Sequence, residues 1–322
     1  MTDSELREGT VLRAQSGHCA VAGDADGLLW RCRFRGRLKR GERATQAVIV
    51  AGDRVRFRPL PSESAASSPG GVVEEVLPRR NRISRYAARR AGGRREQVLM
   101  ANLDQVVVVQ SLAQPALQPG FVDRLLVAAA RYDVGSVLCL NKIDLAPDLA
   151  SDPRWEHYAS LGCRVLRTSA KTGDGLEEFR DALAARVSLL LGASGTGKSS
   201  LLNRIQPGLD LRVAAVTART GLGQHTTTRT ELFPVAAGGF IADSPGLRGF
   251  AAWDLEPQDL APLFPDFDTP SAACRFRTCR HRDEPDCGVR AAVARGALPR
   301  WRHEAYLAML HDLEERSADT WD

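Results

Sequence analysis

Through roughly the first 75 residues, short apolar runs alternate with polar positions and are cut off by glycine-, aspartate- or serine-rich turns. The stretches "GTVLRAQSGHCAVAG", "GLLWRCRFRGRLK", "QAVIVAGDRVRFRPL" and "GGVVEEVLP" carry the period of two of half-buried strands, and together they predict a small β-barrel. In the second, Trp30, Cys32 and Phe34 alternate with Arg31, Arg33, Arg35 and Arg37, which turns the aromatic face inward and sets four guanidiniums on the outer face. Such a face suits RNA backbone and stacking contacts. From residue 103 the period changes. Strands are expected at Gln105 to Gln110, Val134 to Leu140, Cys163 to Arg167 and Val187 to Leu191, with helices at about Phe121 to Tyr132, Leu176 to Ala185 and from Lys198. That alternation predicts an α/β domain, a parallel sheet with helices on both faces. Near the end of the chain, "WRHEAYLAMLHDLEER" spaces Trp301, Tyr306, Met309 and Leu313 as one face of a helix.

Chemistry gathers at the ends of the predicted strands. Gly192-Ala193-Ser194-Gly195-Thr196-Gly197-Lys198-Ser199, continued by Ser200, fits G-x-x-x-x-G-K-[ST] between the strand from Val187 and the helix from Lys198. Glycines let backbone N–H groups converge on a phosphate chain, while Lys198 reaches the outer phosphates and Ser199 is placed to ligate Mg²⁺. Asn141-Lys142-Ile143-Asp144 follows the strand ending at Leu140, and Asp144 can accept two hydrogen bonds from guanine N1–H and its 2-amino group. Lys142 can lie over the base, and Asn141 can tie this loop to the phosphate loop. Ser169-Ala170-Lys171 closes the next strand and would offer a backbone N–H to guanine O6. Together the three resemble the GTPase signature and favour GTP over ATP.

Two further segments complete the set. Asp243-Ser244-Pro245-Gly246 follows an apolar stretch; Asp243 would hold Mg²⁺ through water and the Gly246 N–H would meet the γ-phosphate. One of Thr226, Thr227 and Thr228, in "GLGQHTTTRTEL", is a candidate to complete the Mg²⁺ shell, a run that is otherwise a plain surface loop. Cys274, Cys279, His281 and Cys287, spaced C-x4-C-x-H-x5-C, offer three thiolates and one imidazole, a closed tetrahedral set for a structural Zn²⁺. Arg275, Arg277, Arg280 and Arg282 interleave with them and would add a basic surface.

A length of 322 residues with 43% hydrophobic composition suits two or three domains. No apolar run reaches membrane-spanning length and "MTDSELREGT" lacks a signal peptide's apolar region, so a cytoplasmic protein without a membrane partner is expected. Seven cysteines, three of them clustered with a histidine, fit a reducing compartment; Cys19, Cys32, Cys139 and Cys163 read as small core residues. The net charge of +5 is unevenly spread: eight arginines fall between residues 79 and 95 with no acidic residue among them. That stretch shows little apolar periodicity and reads as a mobile basic connector, either merely solvated or in contact with a phosphate backbone.

Ras-type GTPases run phosphate loop, threonine switch, D-x-x-G, N-K-x-D, S-A-K from N- to C-terminus. Here N-K-x-D and S-A-K come first, which leaves the site intact in space if old termini are joined and the chain opened elsewhere; the chain is circularly permuted. With "ANLDQVVVVQS", "GQHTTTRTEL" and "CRFRTCRHRDEPDC", this order resembles the RsgA (YjeQ) family of small ribosomal subunit biogenesis GTPases over nearly the whole chain. The resemblance implies an OB-fold RNA-binding barrel at 1–76, a basic linker at 77–100, a circularly permuted P-loop GTPase core at 101–255 and a zinc-binding helical domain at 256–322. It also implies GTP and GDP, Mg²⁺, one Zn²⁺, and a monomer partnered by the small ribosomal subunit and its rRNA.

Hydrolysis needs an oriented water. Ras-like enzymes carry a glutamine after D-x-x-G, whereas Leu247 stands here, so slow intrinsic turnover completed by a partner is expected. His225 is the candidate to orient the water, with an RNA contact or a plain loop position as its alternative. Two other functions compete: an RNA-binding assembly factor whose core senses nucleotide with little turnover, and a small-molecule P-loop kinase, for which no acceptor site or lid-like insertion is visible.

Overall fold

The structure, a computed structural model, describes residues 6–34, 49–60, 69–88, 94–117, 119–207, 230–243 and 255–318. Alternation at the N-terminus closes a five-stranded barrel from β1 (Arg7–Gln15), β2 (His18–Gly23), β3 (Leu29–Phe34), β4 (Arg54–Pro59) and β5 (Gly70–Val76), in the order β1-β2-β3-β5-β4 with β4 returning to β1. Val11, Val21, Trp30, Cys32, Val55, Phe57 and Val73 fill it, while Arg31 and Arg33 face solvent. Arg35 and Arg37 lie outside the described residues. Alternation along β1 sends Val11 to the barrel core and Leu12 to the core of the neighbouring domain, and a bulge between Val11 and Arg13 keeps Arg13 outward too, returning Ala14 to the barrel.

The arginine-rich stretch read as a connector is instead an antiparallel hairpin, β6 (Arg82–Ala88) with β7 (Arg94–Ala101). Its strands are pinned by few apolar residues, chiefly Ile83, Val98 and Met100, all buried. The hairpin rests backbone to backbone on the barrel. Gly52 has φ +87° and a Cβ there would stand 1.9 Å from the Ala101 carbonyl oxygen, so only glycine allows the approach. Arg79 and Arg80 are engaged within the fold: Arg79 grips the buried Asp53 through two bonds of 2.7 and 2.9 Å, and Arg80 reaches Asp104 at 2.6 Å.

Beyond the hairpin come β8 (Gln105–Ser111), α1 (Pro119–Arg131), β9 (Gly135–Asn141), α2 (Pro147–Ala150), α3 (Pro153–Ser160), β10 (Arg164–Thr168), α4 (Leu176–Leu183), β11 (Arg186–Leu191), α5 (Lys198–Ile205), β12 (Glu231–Pro234) and β13 (Gly239–Asp243). They form a six-stranded sheet in the order β10-β9-β8-β11-β13-β12. Val106 and Val108 enter the core on one face and Val107 and Val109 the core on the other, as expected of a central parallel strand covered on both sides. The expectation of a wholly parallel sheet needs one correction: β12 runs antiparallel to β13 at the edge.

The C-terminal part packs α6 (Asp268–Ser271), α7 (Gly288–Ala294) and α8 (Arg300–Ala318) around Phe264, Phe267, Tyr306 and Leu310. It is locked to the sheet domain by Arg302, which is 2% exposed. Its guanidinium bonds Asp123 of α1 at 2.5 Å and Asp266 at 3.0 Å; Tyr158 donates to the same Asp123 at 2.8 Å, and His157 meets Asp266 at 3.1 Å. Removing one partner of a buried ion pair strands the others. Arg302→Ala is therefore expected to cost about 3–5 kcal/mol in denaturant unfolding, and adding Asp123→Asn and Asp266→Asn to recover part of it.

Candidate nucleotide site and metal centre

The carboxyl ends of neighbouring strands bring the sequence motifs to one edge of the sheet. Asn141, 1% exposed at the end of β9, is the junction. Its amide nitrogen donates to the Thr196 carbonyl of the phosphate loop at 2.8 Å. Its amide oxygen accepts from the Ala170 N–H at 3.2 Å and the Thr168 hydroxyl at 3.3 Å. One side chain thus ties three segments, and the space is tight: a Cβ on Gly197, φ +94°, would stand 2.1 Å from the Asn141 amide nitrogen.

Between β11 and α5, residues 192–199 form the phosphate loop. Thr196 is fully buried and its hydroxyl donates to the Ala193 carbonyl at 3.0 Å. Lys198 lies across the loop, its ammonium donating to the Gly192 and Ala193 carbonyls at 2.7 and 2.9 Å. Such a loop presents backbone N–H groups and a cation together, the chemistry a polyphosphate needs. Ser194, Gly195 and Ser200 are exposed, and Ser199 is half-buried in the first turn of α5.

Opposite stands the base-reading side. Asp144 accepts from the Ser169 hydroxyl at 2.7 Å, and that oxygen accepts in turn from the Thr172 N–H at 3.1 Å. Ser169 is fully buried, whereas Asp144 is partly open. Lys142 takes a left-handed backbone, φ +64°, and its ammonium donates to the Gln114 carbonyl. Lys171 is exposed. The loop at residues 112–117 was not singled out in the sequence, yet it holds Lys142 through Gln114 and brings Pro115 beside Gly195. Thr168 was also missed; a polar residue ending an apolar strand directly before Ser169 was its only signal.

Asp243 is the last residue of β13, so its backbone reaches the same edge. Its side chain, His225, Thr226, Thr227, Thr228, Gly246 and Leu247 all lie outside the described residues.

Cys274, Cys279, His281 and Cys287 converge with all four ligand atoms within 4.8 Å of one another. The His281 Nδ1 lies 3.6 Å from the Cys274 sulfur and 3.5 Å from that of Cys287, and those two sulfurs are 4.0 Å apart. Tetrahedral Zn²⁺ with Zn–S of about 2.3 Å and Zn–N of about 2.0–2.1 Å requires ligand separations of about 3.5–3.8 Å, so the set fits the ion. The other ring nitrogen, Nε2, meets the Ser271 hydroxyl at 3.3 Å, which fixes the ring's direction. Burial lowers the His281 pKa and favours the neutral ligating form. The interleaved arginines are less free than the sequence suggested: Arg280 and Arg282 both pair with Glu314, and Arg275 with Asp286. Phe276 is exposed beside Arg275, whose guanidinium carbon lies 5.4 Å from the ring centre.

A P-loop carried on a parallel strand, joined by an asparagine to an N-K-x-D loop that precedes it in the chain, defines a circularly permuted P-loop GTPase. The family description "RsgA GTPase" matches residues 76–253 and "RsgA N-terminal domain" residues 8–66. A small ribosomal subunit biogenesis GTPase RsgA from Moorella thermoacetica is 38% identical, covering 96% of this chain and 98% of its own. The crystal structure of YjeQ from Thermotoga maritima superposes with a TM-score of 0.73 at 33% identity, covering 96% of this chain and 99% of that one. YloQ, a circularly permuted GTPase, superposes with a TM-score of 0.74 at 28% identity, covering 98% of both chains. The chain belongs to the RsgA GTPase family and is a GTP-hydrolysing enzyme. No helix among the described residues is long and apolar enough to cross a membrane.

Proposed function

We propose that this protein hydrolyses GTP while bound to the small ribosomal subunit through rRNA, late in subunit maturation in the cytoplasm, and that the subunit stimulates the reaction. The observation that carries the nucleotide reading is the Asn141 junction, which holds the base-reading and phosphate loops at a fixed separation. In this reading Asp144 selects guanine, Lys142 covers the base, and the Ala170 and Lys171 backbone faces its O6. Residues 192–200 wrap the phosphates, with Lys198 turning from the loop carbonyls to the β- and γ-phosphates. Ser199, Asp243 and one of Thr226 to Thr228 are hard oxygen donors of the kind Mg²⁺ takes, and the ion would neutralise charge on the phosphates. His225 would orient the attacking water.

The exposed Arg31 and Arg33 on the barrel and Phe276 with its arginine neighbours on the metal knuckle would meet rRNA. Leu247, apolar where Ras-like enzymes place glutamine, favours slow unaided turnover and keeps alive the reading of an assembly factor that chiefly senses nucleotide. Hydrolysis would release the two loops that contact the γ-phosphate and with them the protein. With a non-hydrolysable GTP analogue the protein should therefore remain on purified subunits through sedimentation, and with GTP it should dissociate; equal release in both states would sink the release mechanism.

A further inference from the structure

A groove of about 430 Å³ on the barrel is lined by Arg13, Gln15, His18, Leu29, Trp30 and Arg31. Arg13 faces two ways. It borders this groove, and it also donates across the domain boundary to Glu231 of β12 at 3.2 Å. The β1 bulge creates this position: Leu12 packs in the same buried cluster as Leu232, and the extra residue leaves Arg13 outward beside Glu231 where plain alternation would turn it into the barrel. Within the sheet Glu231 stands directly opposite Asp243 in the β12–β13 register. One ion pair therefore separates the groove from the strand end assigned to the nucleotide's metal.

We propose that Arg13 is an exchange contact. In the free protein it pairs with Glu231, and when single-stranded RNA enters the groove it turns to a phosphate, so groove occupancy alters the β12–β13 edge and thereby GTP binding. This rests on the RNA-binding reading of the barrel. Both ends of the pair are well exposed, 62% and 41%, and an exposed pair of this kind is weak enough for a phosphate to replace. β12 is a four-residue strand that among the described residues pairs only with β13, so besides the burial of Leu232 the barrel contact through Arg13 helps to steady it.

The test is a double-mutant cycle with a labelled 12-nucleotide single-stranded RNA, read by anisotropy across a KCl series. Arg13→Ala should weaken binding and flatten the salt dependence by about 0.7 of a unit in log–log slope, the loss of one phosphate contact. Glu231→Gln should tighten binding about two- to fivefold by removing the competitor, and should change nothing in the Arg13→Ala background. A second readout is GTP affinity: saturating RNA should shift it severalfold in the wild type and in neither single variant. Equal effects of Glu231→Gln in both backgrounds would overturn the exchange while leaving RNA binding intact. A persisting RNA effect on GTP affinity in the variants would overturn the route through Glu231. A wild type that binds no RNA would remove both this proposal and the RNA reading beneath it.

Discussion

Chelating the metal from Cys274, Cys279, His281 and Cys287 is expected to unfold the C-terminal domain while the sheet domain keeps its secondary structure. Structural zinc in small domains contributes about 10–16 kcal/mol, because the unfolded chain has no preformed site. Here two of the four ligands, Cys287 and His281, are built into the packing: Cys287 caps α7 by accepting from the Arg290 N–H, and His281 offers its backbone oxygen to His303 of α8 at 2.8 Å. Without the ion three thiols and an imidazole would be left crowded together with no cation to hold them, the imidazole packed against Phe267 and Tyr306. Cys279→Ser should act in the same direction. Hydrogen exchange checks it: α7 and α8 should lose protection on chelation, with one metal released per chain. Unchanged protection would mean that the aromatic cluster holds the domain unaided.

Asp144→Asn should reverse base preference. The carboxylate accepts from Ser169 through one oxygen, and its other oxygen takes no hydrogen bond among the described residues, which leaves acceptor capacity for two guanine donors. The asparagine amide oxygen can still accept from N1–H, but its amide nitrogen faces the 2-amino group donor to donor. Hydrogen bonds to a charged acceptor are worth about 1.5–3 kcal/mol each, so loss of that one should weaken GTP by about one to two orders of magnitude. Asparagine offers an N–H to the oxygen that replaces the 2-amino group in xanthine, so XTP should gain what GTP loses. Competition binding with the two nucleotides measures this. Retained GTP preference in the variant would show that another group reads the base.

Much of this was legible because chemistry sits at strand ends. Asn141, Ser169 and Gly192 each follow a strand; the sheet order sets β10 beside β9 and β11 one strand further, across β8, so their carboxyl ends share one edge. Arg302 was not legible. It lies 179 residues from Asp123 and 36 from Asp266, and no local period links them. The hairpin escaped notice because arginines hide its alternation, with little beyond Ile83, Val98 and Met100 as apolar anchors. β12 was too short and ended in proline, a composition that announces an edge rather than a strand. On the metal knuckle, the sequence does not show that Glu314 from α8 pairs with both Arg280 and Arg282, which lowers the net charge of that surface while leaving both guanidiniums about half exposed. Pairing across the fold is set by topology, which composition alone does not carry.

On the function proposed above, GTP turnover by this protein is completed on the small ribosomal subunit. Its most direct test is steady-state phosphate release from GTP with and without purified small subunits at fixed Mg²⁺. Slow release alone and strong stimulation by subunits is the expected result. Turnover that subunits leave unchanged would contradict it, and would separate the GTP site from the RNA-binding surfaces.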